Sequence, residues 1–192
     1  SEFKNNNFSL LKLIQGHKEP AEWISQDTNI NLVSMTGSTE MGRKLGKFVT
    51  ERFGKSIMEL GGNNAMIVTP SANMQLALQA IIFSSAGTCG QRCTSLRRLF
   101  VHESIIDDLK LKIKNHFMKL KIGNPFEEEI VVGPIISQVA FDTMQKMLQK
   151  CKNEGGKITG GERISRDNDN AFYVRPAIVE FNKPNDITKV ET

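Results

Sequence analysis

A strand-like run, Asn31–Thr36 (NLVSMT), passes without a gap into Gly37-Ser38-Thr39-Glu40-Met41-Gly42. Beyond it the apolar residues change period. Met41, Leu45, Phe48, Val49 and Phe53 recur at helical spacing, and Gly54 can close that helix. The same alternation continues downstream. Ser56–Leu60 and Ala65–Thr69 read as strands on either side of Gly61-Gly62-Asn63-Asn64. Pro70-Ser71 opens a helix carrying Met74, Leu78, Ile81 and Ile82 on one side. Arg98–His102 alternates like a strand. Ile106, Leu109, Ile113, Phe117 and Leu120 then mark an amphipathic helix, broken by Gly123-Asn124-Pro125. Ser137 caps a helix that turns Ala140, Phe141, Met144, Met147, Leu148 and Cys151 inward, and Gly155-Gly156 ends it. Gly160–Asn170 is a polar loop, and Phe172–Phe181 is a late strand made irregular by Pro176. Strands alternating with helices favour an α/β architecture with parallel pairing.

Composition narrows the class. Apolar side chains make up 39% of the 192 residues and charged ones 24%, enough for a sizeable core and against wholesale disorder. The net charge of +4 is small and dispersed, which argues against a nucleic-acid partner. The lysines at 110, 112, 114, 119 and 121 read as the solvated face of their helix, with no aromatic residues interleaved for base stacking. No apolar run approaches the ~18 residues that span a bilayer. The N-terminus has no basic-then-apolar signal pattern, and Ser1-Glu2-Phe3 has the look of a cloning remnant. Without such a signal the sequon Asn7-Phe8-Ser9 carries no weight. Three cysteines make no disulfide framework and point to a reducing compartment. His17, His102 and His116 are too scattered to complete a zinc site with Cys89 and Cys93, so no metal is expected.

Three segments carry possible chemistry. The Gly37–Gly42 turn presents the amides and positive end of a helix, a ready anion site, though it is neither the G-x-G-x-x-G fingerprint nor a P-loop. Cys93 sits in Gly87-Thr88-Cys89-Gly90-Gln91-Arg92-Cys93-Thr94. A free thiol is only about 3% thiolate at pH 7, so a nucleophilic role needs a local field, such as Arg92 or backbone amides in the turn. An inert cysteine is the competing reading. Glu59, in Met58-Glu59-Leu60-Gly61-Gly62, is a lone carboxylate ending an otherwise apolar strand. Burial there would raise its pKa and suit a general base; the competing reading is an exposed strand end.

Taken in order, Thr36–Gly42 (TGSTEMG), Glu59–Gly62 (ELGG) and Gly90–Cys93 (GQRC) resemble the NAD(P)-dependent aldehyde dehydrogenase superfamily, with Met35 where the family has phenylalanine. The resemblance runs from about Asn31 to the end. Glu51-Arg52-Phe53-Gly54, Arg97-Arg98-Leu99-Phe100, His102-Glu103-Ser104-Ile105 and Gly123-Asn124-Pro125 are similar to the antiquitin branch, whose members oxidise α-aminoadipic semialdehyde in lysine breakdown.

The resemblance implies a fold and a chemistry. The fold is part of a Rossmann-like cofactor domain, residues 1–61, followed by most of an α/β catalytic domain, residues 62–192. Cys93 would add to the aldehyde as a thiohemiacetal, with its backbone N–H as half of the oxyanion hole. Hydride would pass to NAD, with NADP left open, and Glu59 would activate water against the resulting thioester. Gly37, Ser38 and Gly42 would line the pyrophosphate side, Leu60 the nicotinamide, and Glu191 its ribose. Arg92 and Thr94 would face substrate, Arg92 pairing with a carboxylate. The other partners implied are further copies of the chain, as a homotetramer, in cytoplasm or mitochondria. Family features upstream and downstream have no counterpart here, so the chain reads as an internal fragment, inactive by itself. Cys89 invites a disulfide with Cys93 under oxidation. A cysteine-dependent ester hydrolase and a non-catalytic relative stay open as alternatives.

Overall fold

The structure is a computed structural model, and it describes residues 11–165 and 170–191. Ser1–Phe3 and the Asn7–Ser9 sequon lie outside the described residues, as does part of the 160–170 loop. The chain divides into two compact units, Ser1–Gly61 and Gly62–Thr192.

In the first unit, strands β1 (Leu32–Thr36) and β2 (Lys55–Glu59) pair in parallel, in register from Leu32↔Lys55 to Thr36↔Glu59. The crossover is helix α2 (Thr39–Glu51), which Ser38 caps by accepting a hydrogen bond from Met41 N at 3.2 Å. Leu45 and Val49 of α2 are buried with Val33 of β1. Val33 is the one buried residue of β1, and the rest of the strand is half-buried or exposed. The end of α2 differs from expectation. Phe53 N donates to Thr50 O and Gly54 N to Val49 O, the paired bonds of a Schellman ending. The left-handed position there is taken by Phe53 (φ 57), not by Gly54. Helix α1 (Glu19–Gln26) carries too few apolar residues to announce itself, and Pro20 starts it. It is tied to α2 by Glu22–Lys44 at 2.5 Å and by Arg52 Nε donating to Ser25 O at 2.8 Å.

In the second unit, β3 (Asn64–Val68) and β4 (Leu96–Val101) pair in parallel around helix α3 (Met74–Ala86). Asn73 caps α3, its Oδ1 accepting from Leu76 N at 3.1 Å. Pro70-Ser71 forms the preceding turn instead, with Ala72 N donating to Thr69 O. Helices α4 (Ile106–Lys119) and α5 (Gln138–Asn153) follow. Ser137 caps α5, and Gly155 closes it at φ 84. Of the α5 residues expected inward, Cys151 is fully buried and the others are half-buried. Of the late strand only β6 (Ile178–Glu180) is regular, antiparallel to β5 (Lys157–Thr159). The core gathers Val68, Ile81, Leu109, Ile113, Phe117 and Val132.

Four of the five lysines between 110 and 121 make ion pairs. Lys112 meets Asp108 at 2.6 Å, and Lys121 meets Glu129. Lys110 and Lys114 converge on Glu180 at 3.1 and 2.7 Å, fastening α4 to β6. The hydrogen bond from Lys114, with help from Lys110, holds the Glu180 carboxyl below the usual range. A lowered carboxylate pKa stabilises the fold above the unfolded value and loses that contribution as pH falls through the folded one. Glu180→Gln should therefore lower stability at pH 7, by on the order of 0.5–1 kcal/mol for a partly exposed pair. Denaturant melts should show the two proteins converging as the pH is taken below that of an ordinary glutamate. A gap that persisted at low pH would mean that the glutamine, not the lost charge, is responsible.

Candidate active site

The first unit gathers five of the expected residues around the β1–α2 turn. Gly37 N donates to Glu59 O at 3.0 Å, tying the turn to the end of β2. Gly42 is buried, and a Cβ added to it would lie 2.5 Å from Leu60 Cδ2. Only glycine lets α2 come this close to Leu60. Gly37 and Ser38 stand exposed at the N-terminus of α2, where free amides and the helix dipole favour an anion. Glu59 is exposed, so of the two readings offered by the sequence the exposed strand end is the one found.

The second unit builds the cysteine loop. After α3 the backbone turns left-handed through Thr88 (φ 54), Cys89 (φ 53) and Gly90 (φ 70). Two non-glycine residues in that region cost about 1 kcal/mol or more each, and they persist only where the surroundings hold them. Gln91 supplies much of the hold. Its Nε2 donates to Thr88 O and Pro134 O, both at 3.2 Å, and its Oε1 accepts from Ile136 N at 2.9 Å. Arg97 Nη2 donates to Gly90 O at 2.8 Å. Buried Ser95 closes the far side, its N donating to Arg92 O and its Oγ accepting from Arg92 N. Asn64 Nδ2 donates to Cys93 O at 2.6 Å and Ser95 O at 2.9 Å.

The three cysteines are free and differ sharply in setting. Cys93 is exposed. Cys89 is half-buried, and burial pushes its thiol up to about 11. Cys151 is buried, and burial, then the charge of Glu154, raises its thiol as well. Arg92 is half-buried and reaches back to the last turn of α3. Its guanidinium lies 5.2 Å from the Phe83 ring centroid, and Nη2 donates to Phe83 O at 3.5 Å. Its Nε is buried without a partner among the described residues. Arg92 lines a cavity of about 660 Å³ with Gln75, Leu78, Phe83, Thr88 and His116. Thr94 is exposed next to Cys93. Glu191 is exposed too, and its Oε1 lies 4.0 Å from Arg97 Nη2, which joins it to the same loop through Gly90. No cluster of three potential metal ligands occurs among the described residues.

The sequence pattern of the aldehyde dehydrogenase family matches residues 8–192. The chain belongs to the aldehyde dehydrogenase family. It is 44% identical over 177 residues to aldehyde dehydrogenase family 7 member A1 of Malus domestica, covering 92% of this chain and 34% of that protein. It is 39% identical over 171 residues to the alpha-aminoadipic semialdehyde dehydrogenase of Rattus norvegicus, covering 89% and 31%. Among solved structures, it resembles the betaine aldehyde dehydrogenase of Staphylococcus aureus in complex with NAD+, with a TM-score of 0.84 at 28% identity, over 86% of this chain and 34% of that one. An NAD-dependent aldehyde dehydrogenase of Sinorhizobium meliloti gives 0.86 at 28%, over 91% and 35%. The chain thus spans about a third of the length of the relatives it matches.

Within this aldehyde dehydrogenase chain, Asn64, Ser95 and Arg97 were not singled out from sequence as parts of the site. Their signal was faint: polar side chains at the start of one strand and around the start of another. No helix of the described residues is long and apolar enough to cross a membrane.

Proposed function

We propose that this chain works within a longer aldehyde dehydrogenase, which oxidises an aldehyde bearing a carboxylate, of the α-aminoadipic semialdehyde class, to the corresponding acid with NAD as hydride acceptor. The observation that carries this reading is Cys93: an exposed cysteine just after a left-handed turn, in a loop whose Thr88, Gly90, Arg92 and Cys93 carbonyls are held by neighbouring donors. Such a loop presents a nucleophile without needing its backbone to move. The thiolate adds to the aldehyde carbon, and the oxyanion that forms is met by the Cys93 amide. NAD or NADP, when bound, supplies the hydride acceptor. The close approach of α2 to Leu60 and the exposed N-terminus of α2 beside Gly37 and Ser38 suit a pyrophosphate there, with Glu191 toward the ribose. Glu59 then takes a proton from water, which cleaves the acyl–sulfur bond and frees Cys93. The family resemblance adds a homotetramer and a cytoplasmic or mitochondrial setting.

Arg92 is the selector. Its place on the wall of the adjoining cavity suits a ligand that brings a carboxylate. Losing one charge-assisted pair costs roughly ten- to a hundredfold in kcat/KM. With the protein, NAD and either the semialdehyde or octanal, NADH absorbance should show Arg92→Ala hurting the semialdehyde by that factor and octanal far less. Equal losses on both would leave Arg92 a loop-stabilising residue. These assays use the full-length protein, and NADH formation by it from neither aldehyde would overturn the proposed activity.

A further inference from the structure

We infer that Asn64 is a positioning residue for Cys93, so that the ELGGNN segment supplies a base at one end and a clamp for the nucleophile at the other. The inference rests on Cys93 being the nucleophile proposed above. Three observations carry it. The Asn64 carboxamide donates both of its N–H groups, to Cys93 O at 2.6 Å and to Ser95 O at 2.9 Å. These carbonyls belong to the nucleophile and to the buried residue two positions on, so one side chain fixes the backbone that carries the thiol. Next, Gly62 passes directly beneath the same carbonyl: a Cβ added there would run into Cys93 O. The second glycine of the motif is thus the space into which the cysteine loop docks.

The third observation is the register of the sheet. Asn64 pairs with Leu96, but Ala65 pairs with Arg98, leaving Arg97 as the extra residue of a bulge in β4. A bulge re-aims side chains at the end of a ladder. Here Arg97 reaches back to Gly90 O, before the cysteine, while Asn64 takes Cys93 O. The loop is held on both sides of the thiol from one irregularity in the sheet. Arg98 secures the base of the clamp, donating twice to Asn63 O at 3.1 and 2.7 Å.

A group that positions the nucleophile acts on kcat rather than on substrate affinity, and a displacement of about 1 Å can cost roughly a hundredfold. The test uses Asn64→Asp, an isostere that sets a carboxylate oxygen against two carbonyls, and Asn64→Ala, a simple truncation. Both should lower kcat for the semialdehyde by about 10- to 100-fold with KM within about threefold. Buried Cys151 should stay as protected from iodoacetamide as in the parent. Full kcat in both variants, a change confined to KM, or rapid labelling of Cys151 in both would overturn the inference, the last by reducing Asn64 to a structural role. Cys93→Ser separates the two levels. Turnover surviving in Cys93→Ser would overturn the nucleophile and the inference with it. An inactive Cys93→Ser beside fully active Asn64 variants would overturn the inference alone.

Discussion

Cys93→Ser should abolish aldehyde oxidation, lowering kcat by at least about 10³-fold, while leaving the melting temperature of the protein unchanged. The loop explains why the two readouts separate. Its hold is on backbone: Thr88, Gly90, Arg92 and Cys93 each have their carbonyl engaged by Gln91, Arg97, Ser95 or Asn64. None of those bonds uses the cysteine side chain, so serine fits the same turn. A hydroxyl there stays protonated at neutral pH and needs a base, whereas a thiol needs only a modest field to ionise. Nδ1 of each of the two histidines nearest in sequence is engaged elsewhere. His102 engages Ser104 Oγ and His116 the carbonyl of Lys112. Steady-state NADH formation beside a thermal melt measures both quantities. Activity within tenfold of the parent would remove Cys93 from the chemistry.

Glu59→Gln should divide the reaction into two phases. The first turnover proceeds, because thiol addition and hydride loss need no proton acceptor at Glu59. The second stalls, because an amide cannot take the proton from the attacking water. General bases contribute typically 10²–10⁴-fold, and the steady-state rate should fall by that amount behind a burst of one NADH per active site. The substitution keeps the size of the side chain, and the bond that locates this residue is its own carbonyl accepting from Gly37 N. Stopped-flow absorbance would resolve burst from steady state. Unchanged steady-state turnover would exclude Glu59 as the base.

Much of this was legible in the residue order because rare chemistry sits in short segments. A lone carboxylate before two glycines and a cysteine after Gly-Gln-Arg are local signals, and so is a strand that runs into Gly37 and an amphipathic helix. The α/β architecture followed from the change of period on either side of such turns. What the residue order hid depends on pairing. Asn64 and Arg97 reach the cysteine loop only because a bulge shifts β3 against β4, and register is not a property of either strand alone. The burial of Glu59 is a second case: the sequence left buried and exposed readings open, since the period of a strand says which face a residue takes but not whether anything covers it. The third is the end of α2. Glycine is the usual left-handed residue, yet Phe53, 97% exposed, takes that position, and Gly54 follows it.

Trapping the acyl group tests the central claim most directly. The Glu59→Gln protein is mixed with NAD and α-aminoadipic semialdehyde, quenched in acid at the end of the burst, digested and mapped by mass spectrometry. The account predicts the acyl mass on the peptide bearing Cys93, in proportion to the NADH formed, and its absence from Cys89 and Cys151. NADH formed with no acylated peptide, or an acyl group on another residue, would contradict it.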